Sequence, residues 1–194
     1  MIKKRVLLIG DSTARMVRST LGKLIDMPVD LFATSSGLHD SLFINQMDCF
    51  FGASEYKYDC IFVQLGHHAE LGFGGSYFSE KDWEIYRYEF KDLISFLKNK
   101  CRRVIIESVF YTVVPNKQYK LLKIFNIPEK YDEEVNQRKK KRNQIMHEIA
   151  DEQGVDFLDI NEYIQDKRFY HIDHIHFEEK AKPVIAKKMI EYIC

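Results

Sequence analysis

A serine directly follows the first apolar run of the chain. The run ends at Ile9, and the tripeptide Gly10–Ser12 comes next, so the serine lies where a strand would pass into a helix. Open α/β sheets bind ligands at this edge, and a helix N-terminus there presents backbone N–H groups and a positive dipole end. Both favour developing negative charge, which makes Ser12 a candidate nucleophile. Ser12 or Asp11 could equally do no more than cap the helix.

An aspartate and a histidine three residues apart lie near the other end of the chain. Asp173 and His176 precede the last predicted helix, and this spacing in a turn or a helix start places two side chains on one face. A carboxylate so placed fixes the tautomer of an imidazole and stabilises its cation, as the base of a serine nucleophile requires. The same pair could also simply fix a helix end.

Further histidines lie close to both regions. His171 and His174 flank Asp173, and His67 and His68 follow the third apolar run. Imidazole and carboxylate groups are suitable zinc ligands, so a metal site is one alternative. The spacing matches no metal motif, however, and a metal would leave the serine segment unexplained. We therefore expect neither a metal nor another cofactor.

Short apolar runs alternate with amphipathic segments along the whole chain, a pattern typical of βαβ units. The predicted strands are Arg5–Ile9, Val29–Ala33, Cys60–Leu65, Arg103–Val109 and Val155–Ile160. The predicted helices carry apolar residues at three- and four-residue steps and cover about 14–25, 83–97, 132–152 and 181–192. The sequence thus predicts an α/β fold, a three-layer α/β/α sandwich around a mostly parallel five-stranded sheet.

Local signals mark several helix ends. Ser79 and Asp82 have the spacing of a capping box, Gly154 is a typical helix stop, and Pro183 fits only a first turn. The stretch 112–131 is longer than most connections, so it is either a lid over the site or a short helix packed on its own domain.

The composition fits one cytoplasmic domain over residues 1–194. A chain of this length buries about 70% of its surface, and 29 basic against 29 acidic residues give no reason to expect a nucleic-acid partner. The basic run Arg138–Arg142 lies among acidic residues and is interpreted as a solvated helix face. Four cysteines without a paired spacing favour a reduced compartment, and no apolar run reaches the ~20 residues of a membrane span.

Four short blocks occur in the order typical of one hydrolase family. They are Gly10-Asp11-Ser12, Gly37 after the second strand, Gly66 after the third, and Asp173-x-x-His176 before the last helix. Over nearly the whole chain these blocks resemble the SGNH hydrolases, or GDSL esterases and lipases. The resemblance implies a flavodoxin-like fold, with Ser12 as nucleophile, His176 as its base and Asp173 behind the histidine. It also implies that the oxyanion contacts the backbone amides of Ser12 and Gly37 and a third-block asparagine.

The third block departs from the family pattern. His68 stands where the family has the asparagine of G-x-N. An imidazole can donate one N–H, so His68 or its neighbour His67 could be the third donor. Otherwise the activity is weakened or lost, since losing one oxyanion donor costs about 10²–10³ in turnover. The residues expected to line the oxyanion and substrate site are Gly37, Gly66, His67, His68 and Asp11.

The residues and the resemblance together predict a serine esterase or deacylase. Its substrate would be a small-molecule or carbohydrate ester with a small acyl group, such as an O-acetyl group on a sugar. Serine, histidine and aspartate supply the nucleophile and the proton transfers, so no cofactor is needed. Two alternatives are an O-acyltransferase that uses a sugar hydroxyl as acceptor, and a degenerate member of the fold that binds its ligand without turnover.

Overall fold

A five-stranded parallel sheet forms the centre of the protein. The computed structural model describes residues 5–33, 41–52, 58–65, 79–113, 124, 130–164, 172 and 176–193. The strands are β1 (Val6–Gly10), β2 (Val29–Ala33), β3 (Tyr58–Val63), β4 (Cys101–Glu107) and β5 (Asp156–Leu158). They lie in the order β2-β1-β3-β4-β5, and each pair of neighbours is parallel. The predicted sheet is confirmed, and the strand ends differ from the predicted ones by no more than two residues.

Helices cover both faces of this sheet. They are α1 (Ser12–Ile25), α2 (Ser41–Gly52), α3 (Glu80–Lys98), α4 (Lys130–Gln153) and α5 (Lys182–Ile190), with short 3₁₀ helices at Ile160–Tyr163 and Glu179–Ala181. Helix α2 was not among the predicted helices. Its buried residues Met47 and Phe51 are four apart, a helical spacing that is visible in the sequence.

The core has two parts because side chains of a strand alternate between its faces. On β1, Leu7 and Ile9 pack with residues of α2, α3 and α4, whereas Val6 and Leu8 pack with residues of α1 and α5. This division gives the three-layer α/β/α sandwich that the sequence predicts.

The predicted helix ends agree with the structure. The Ser79 hydroxyl accepts from the Asp82 backbone N–H at 3.2 Å, and the Asp82 carboxylate accepts from the Ser79 N–H at 2.7 Å, which completes a capping box. Gly154 follows α4 with a φ of 62°, in the left-handed region that favours glycine. Pro183 lies in the first turn of α5.

The interpretation of the basic run as a solvated face is wrong for two of its residues. Lys139 and Arg142 are both almost completely buried. The Lys139 ammonium donates to the Phe110 carbonyl at 2.8 Å. The Arg142 guanidinium lies over the rings of Trp83 and Tyr86, at 5.5 and 4.8 Å from their centroids. Both cations therefore connect α4 to its neighbours, because a carbonyl beyond β4 and two aromatic faces of α3 offer them partners.

None of the helices in the described ranges is long and apolar enough to cross a lipid bilayer.

Candidate active site

The strand order reverses between β1 and β3, the two central neighbours from which the chain proceeds in opposite directions. From β1 the chain crosses through α1 to β2 on one side, and from β3 it crosses through α3 to β4 on the other. Helices α1 and α3 consequently cover opposite faces of the sheet. Parallel sheets bind ligands at such a reversal of strand order. Ser12 comes directly after β1, at this point.

The turn before Ser12 is too tight for any side chain at position 10. A Cβ atom on Gly10 would lie 2.8 Å from the Cβ of Ala14 and 3.0 Å from the carbonyl oxygen of Gln64. The first turn of α1 and the end of β3 therefore approach the backbone of Gly10 closely, as only glycine permits.

Asp11, rather than Ser12, caps α1. The Asp11 carboxylate is 4% exposed, and its Oδ1 accepts from the backbone N–H of Thr13 at 2.9 Å and lies 2.8 Å from the Thr13 hydroxyl oxygen. The capping role expected of Asp11 or Ser12 thus belongs to Asp11. The Ser12 hydroxyl is left to interact elsewhere.

The Ser12 hydroxyl meets the imidazole of His176. The distance between Ser12 Oγ and His176 Nε2 is 3.0 Å, and both residues are half-buried. In the tautomer that carries its proton on Nδ1, Nε2 accepts the serine proton, which is the geometry of a serine nucleophile with its general base. The fold thus brings together two residues that are 164 positions apart in the chain.

Packing of the next residue holds His176 in place. Phe177 is fully buried, and its ring meets that of Phe110 edge-on with the centroids 4.4 Å apart. The His176 carbonyl also accepts from the backbone N–H of Ile172 at 2.8 Å. An aromatic anchor beside β4 therefore sets the position from which the imidazole reaches Ser12.

A layer of buried polar side chains lies under this pair. The Thr13 hydroxyl contacts both Asp11 and the Gln64 amide oxygen, and Gln64 Nε2 donates to the Ser108 carbonyl at 3.1 Å. Thr13 and Gln64 were not predicted as site residues. The sequence signal that could have indicated Gln64 is its position as a polar residue within the apolar run of the predicted strand Cys60–Leu65.

A buried carboxyl group adjoins the same layer. Glu107, the last residue of β4, is 6% exposed and lines a cavity of about one water molecule together with Thr13 and Gln64. Burial, and to a smaller extent the nearby Asp11 carboxylate, raise the pKa of Glu107 to about 8. The group is therefore largely protonated at neutral pH.

Several predicted site residues lie outside the described residues. They are Gly37, Gly66, His67, His68 and Asp173, and the stretch 112–131, expected to be either a lid or a short packed helix, also falls mostly outside. Within the described ranges, no three His, Cys, Asp or Glu side chains form a group that could hold a metal ion.

The parallel three-layer sandwich with a serine after its first strand has the architecture predicted from the SGNH resemblance. The chain resembles the acetyl xylan esterase AlAXEase, with a TM-score of 0.70 at 13% identity over 98% of this chain and 100% of the other. It resembles LAE5, an α/β hydrolase enzyme from the metagenome of Lake Arreo, Spain, with a TM-score of 0.69 at 14% identity over 98% and 94%.

A third similar structure is Axe2, an acetylxylan esterase from Geobacillus stearothermophilus, with a TM-score of 0.63 at 15% identity over 99% of this chain and 94% of the other. Catalytic mutants of that enzyme replace a serine or an aspartate by alanine. No protein-family model and no curated protein sequence matches the chain significantly. The chain thus has the fold of these hydrolases, and the predicted fold class is confirmed.

Proposed function

We propose that the protein is a serine esterase that removes a small acyl group, with O-acetyl groups on carbohydrates as the preferred substrate class. The observation that carries the proposal is the 3.0 Å contact between Ser12 Oγ and His176 Nε2 at the ligand-binding edge of the sheet. A hydroxyl that merely capped the helix would point to the backbone of the first turn, and Asp11 already fills that role.

The first half of the reaction acylates the serine. Ser12 Oγ attacks the ester carbonyl carbon while its proton passes to His176 Nε2, and the carbonyl oxygen becomes an oxyanion. In our proposal the backbone amides of Ser12 and Gly37, with His68 as third donor, stabilise that oxyanion. The carbon–oxygen bond to the alcohol then breaks, and the departing oxygen takes the proton from Nε2. Asp173 would hold the imidazole throughout.

The second half regenerates the enzyme by the same steps. A water molecule attacks the acyl-enzyme carbonyl and gives a proton to His176 Nε2, and the collapse returns that proton to Ser12 Oγ. A carboxylic acid leaves. Side chains of the protein perform every proton transfer in this scheme, so it requires no cofactor.

The carbohydrate acetyl ester as substrate is supported by the folds that resemble this one. Among the similar structures described above, two are acetyl xylan esterases, matched over nearly the full length of both chains. An acetyl group needs little space beside the serine, so the same scheme also fits simple acetate esters.

The test combines active-site labelling with turnover. Three proteins are incubated with a fluorophosphonate probe and analysed by intact-mass spectrometry: wild type, Ser12→Ala and Ser19→Ala. Ser19→Ala is the matched control because it alters an exposed serine of the same helix. Acetate release from p-nitrophenyl acetate and from acetylated xylo-oligosaccharides is measured in parallel. We expect labelling of wild type and Ser19→Ala only, and a loss of at least about 10³-fold in kcat for Ser12→Ala.

The outcomes separate the alternatives. A Ser12→Ala variant with full turnover would reject the nucleophile. Labelling without acetate release, but with acetyl transfer to an added sugar, would identify an acyltransferase. A folded wild type that is neither labelled nor active would favour a ligand-binding protein without turnover.

A further inference from the structure

The side chains of Thr13 and Gln64 connect the first turn of α1, which begins at Ser12, to the end of β3. Thr13 follows Ser12 in the first turn of α1, and its side chain is 1% exposed. Gln64 follows the last residue of β3 and is 2% exposed. The Thr13 hydroxyl lies within hydrogen-bond distance of the Gln64 amide oxygen, and so the first turn of α1 is joined to the end of β3.

The Gln64 amide is fixed at both of its ends. Its Nε2 donates to the Ser108 carbonyl at 3.1 Å, so its Oε1 must face Thr13. The Gln64 backbone N–H also donates to the Ile9 carbonyl at 2.9 Å. One residue thereby ties together the carboxyl ends of β1, β3 and β4, and hydrogen bonds between buried groups are stronger than those exposed to water.

Through Thr13, Gln64 contacts the turn that carries Ser12. The Ser12 hydroxyl in turn lies 3.0 Å from His176 Nε2. A displacement of about 1 Å between a nucleophile and its base can cost about 10²-fold in rate.

We propose that Gln64 is a positioning residue which, through Thr13, sets Ser12 relative to His176. This inference rests on the proposed function. Because the Gln64 side chain is enclosed by protein, it cannot contact a substrate and can act only through its neighbours. Gln64 should therefore affect kcat rather than KM.

The test uses variants that remove the connection with little change in shape. Thr13→Val removes the hydroxyl, and Thr13→Ser keeps it. Gln64→Leu removes the amide. The control is Asn143→Leu, which removes another buried amide that makes two bonds to Val109, at 2.7 and 2.9 Å. Both amide substitutions lower stability, so assays are run well below each variant's Tm.

We expect Thr13→Val and Gln64→Leu to lower kcat by about 10- to 100-fold with KM changed less than about threefold, because positioning acts on the transition state. Thr13→Ser should retain most of the rate. The double variant should be no slower than the slower single one, because both changes remove the same connection. Equal losses in Asn143→Leu would overturn the inference, and so would normal kcat in Thr13→Val.

A second measurement decides the question even if no ester is turned over. The ¹⁵N resonance of His176 Nε2 reports on its contact with Ser12, and Ser12→Ala provides the reference for its loss. We expect Thr13→Val to move this resonance towards the Ser12→Ala position and Asn143→Leu to leave it in place. An unmoved resonance in Thr13→Val would refute the positioning role, whereas a moved resonance in a protein without turnover would refute only the proposed function.

Discussion

Replacing Glu107 by glutamine should stabilise the protein increasingly as the pH rises. The carboxyl group is buried at the end of β4, where the cavity around it is lined by Thr13 and Gln64 and by apolar side chains including Phe110. The charged group that acts on it is the Asp11 carboxylate, which repels a second negative charge. Ionisation of Glu107 in the folded state is therefore costly, and glutamine avoids it with nearly the same shape.

The magnitude follows from the two pKa values of this group. Its pKa rises from 4.5 to about 8 on folding, so the folded state binds the proton more tightly than the unfolded state does. The stability that the proton contributes is complete below pH 4.5 and is lost as the pH rises through about 8. Between pH 5 and pH 9 this loss amounts to about 4 kcal/mol, at about 1.4 kcal/mol for each pH unit between the pKa values. Glu107→Gln has no such proton to lose.

Urea unfolding at pH 5, 7 and 9 measures the effect. If the free energy of unfolding falls by about 2 kcal/mol for each molar of urea, the loss in wild type corresponds to about 2 M of urea. The urea midpoint of the variant should therefore rise relative to that of wild type by about 2 M between pH 5 and pH 9. The control is Glu84→Gln, which alters an exposed carboxylate of α3 and should show almost no such trend. A difference that grows by less than about 1 kcal/mol would refute the reasoning that burial keeps Glu107 protonated.

Two other substitutions test the oxyanion donor and the polar layer. If His68 donates to the oxyanion, His68→Asn should keep or raise kcat and His68→Ala should lower it about 10²-fold; equal kcat values for the three proteins would reject that role. Ser108→Ala should lower the free energy of unfolding by about 2 kcal/mol, because the hydroxyl donates to Asp159 at 2.7 Å and accepts from the Ile160 N–H at 3.0 Å. Chemical denaturation checks this against the exposed Ser95→Ala, and equal losses would contradict it.

The fold could be predicted from the sequence because its signals are local. Doubly covered strands appear as apolar runs, and the capping residues Ser79 and Gly154 mark helix ends through their own chemistry. Both ends of β2 were predicted correctly, whereas the ends of the other four strands shifted by one or two residues, because pairing between neighbouring strands decides where a ladder stops.

The candidate site was predictable only in part. The resemblance to the SGNH family implied a pairing of Ser12 with His176, and the structure places the two side chains 3.0 Å apart. The burial of Lys139 and Arg142 was not predictable, since it depends on a carbonyl and on aromatic rings from other elements. The role of Gln64 was hidden for the same reason, because its partners come from two other segments of the chain.

The separation of Ser12 from His176 along the chain has a consequence during synthesis. A ribosome adds about 5–20 residues per second, so the serine is made roughly 10 to 30 s before the histidine 164 positions later. Helix α5, which follows His176, packs against α1 in the same core. A nascent chain released before this point would present Ser12 without the imidazole that lies beside it in the folded protein.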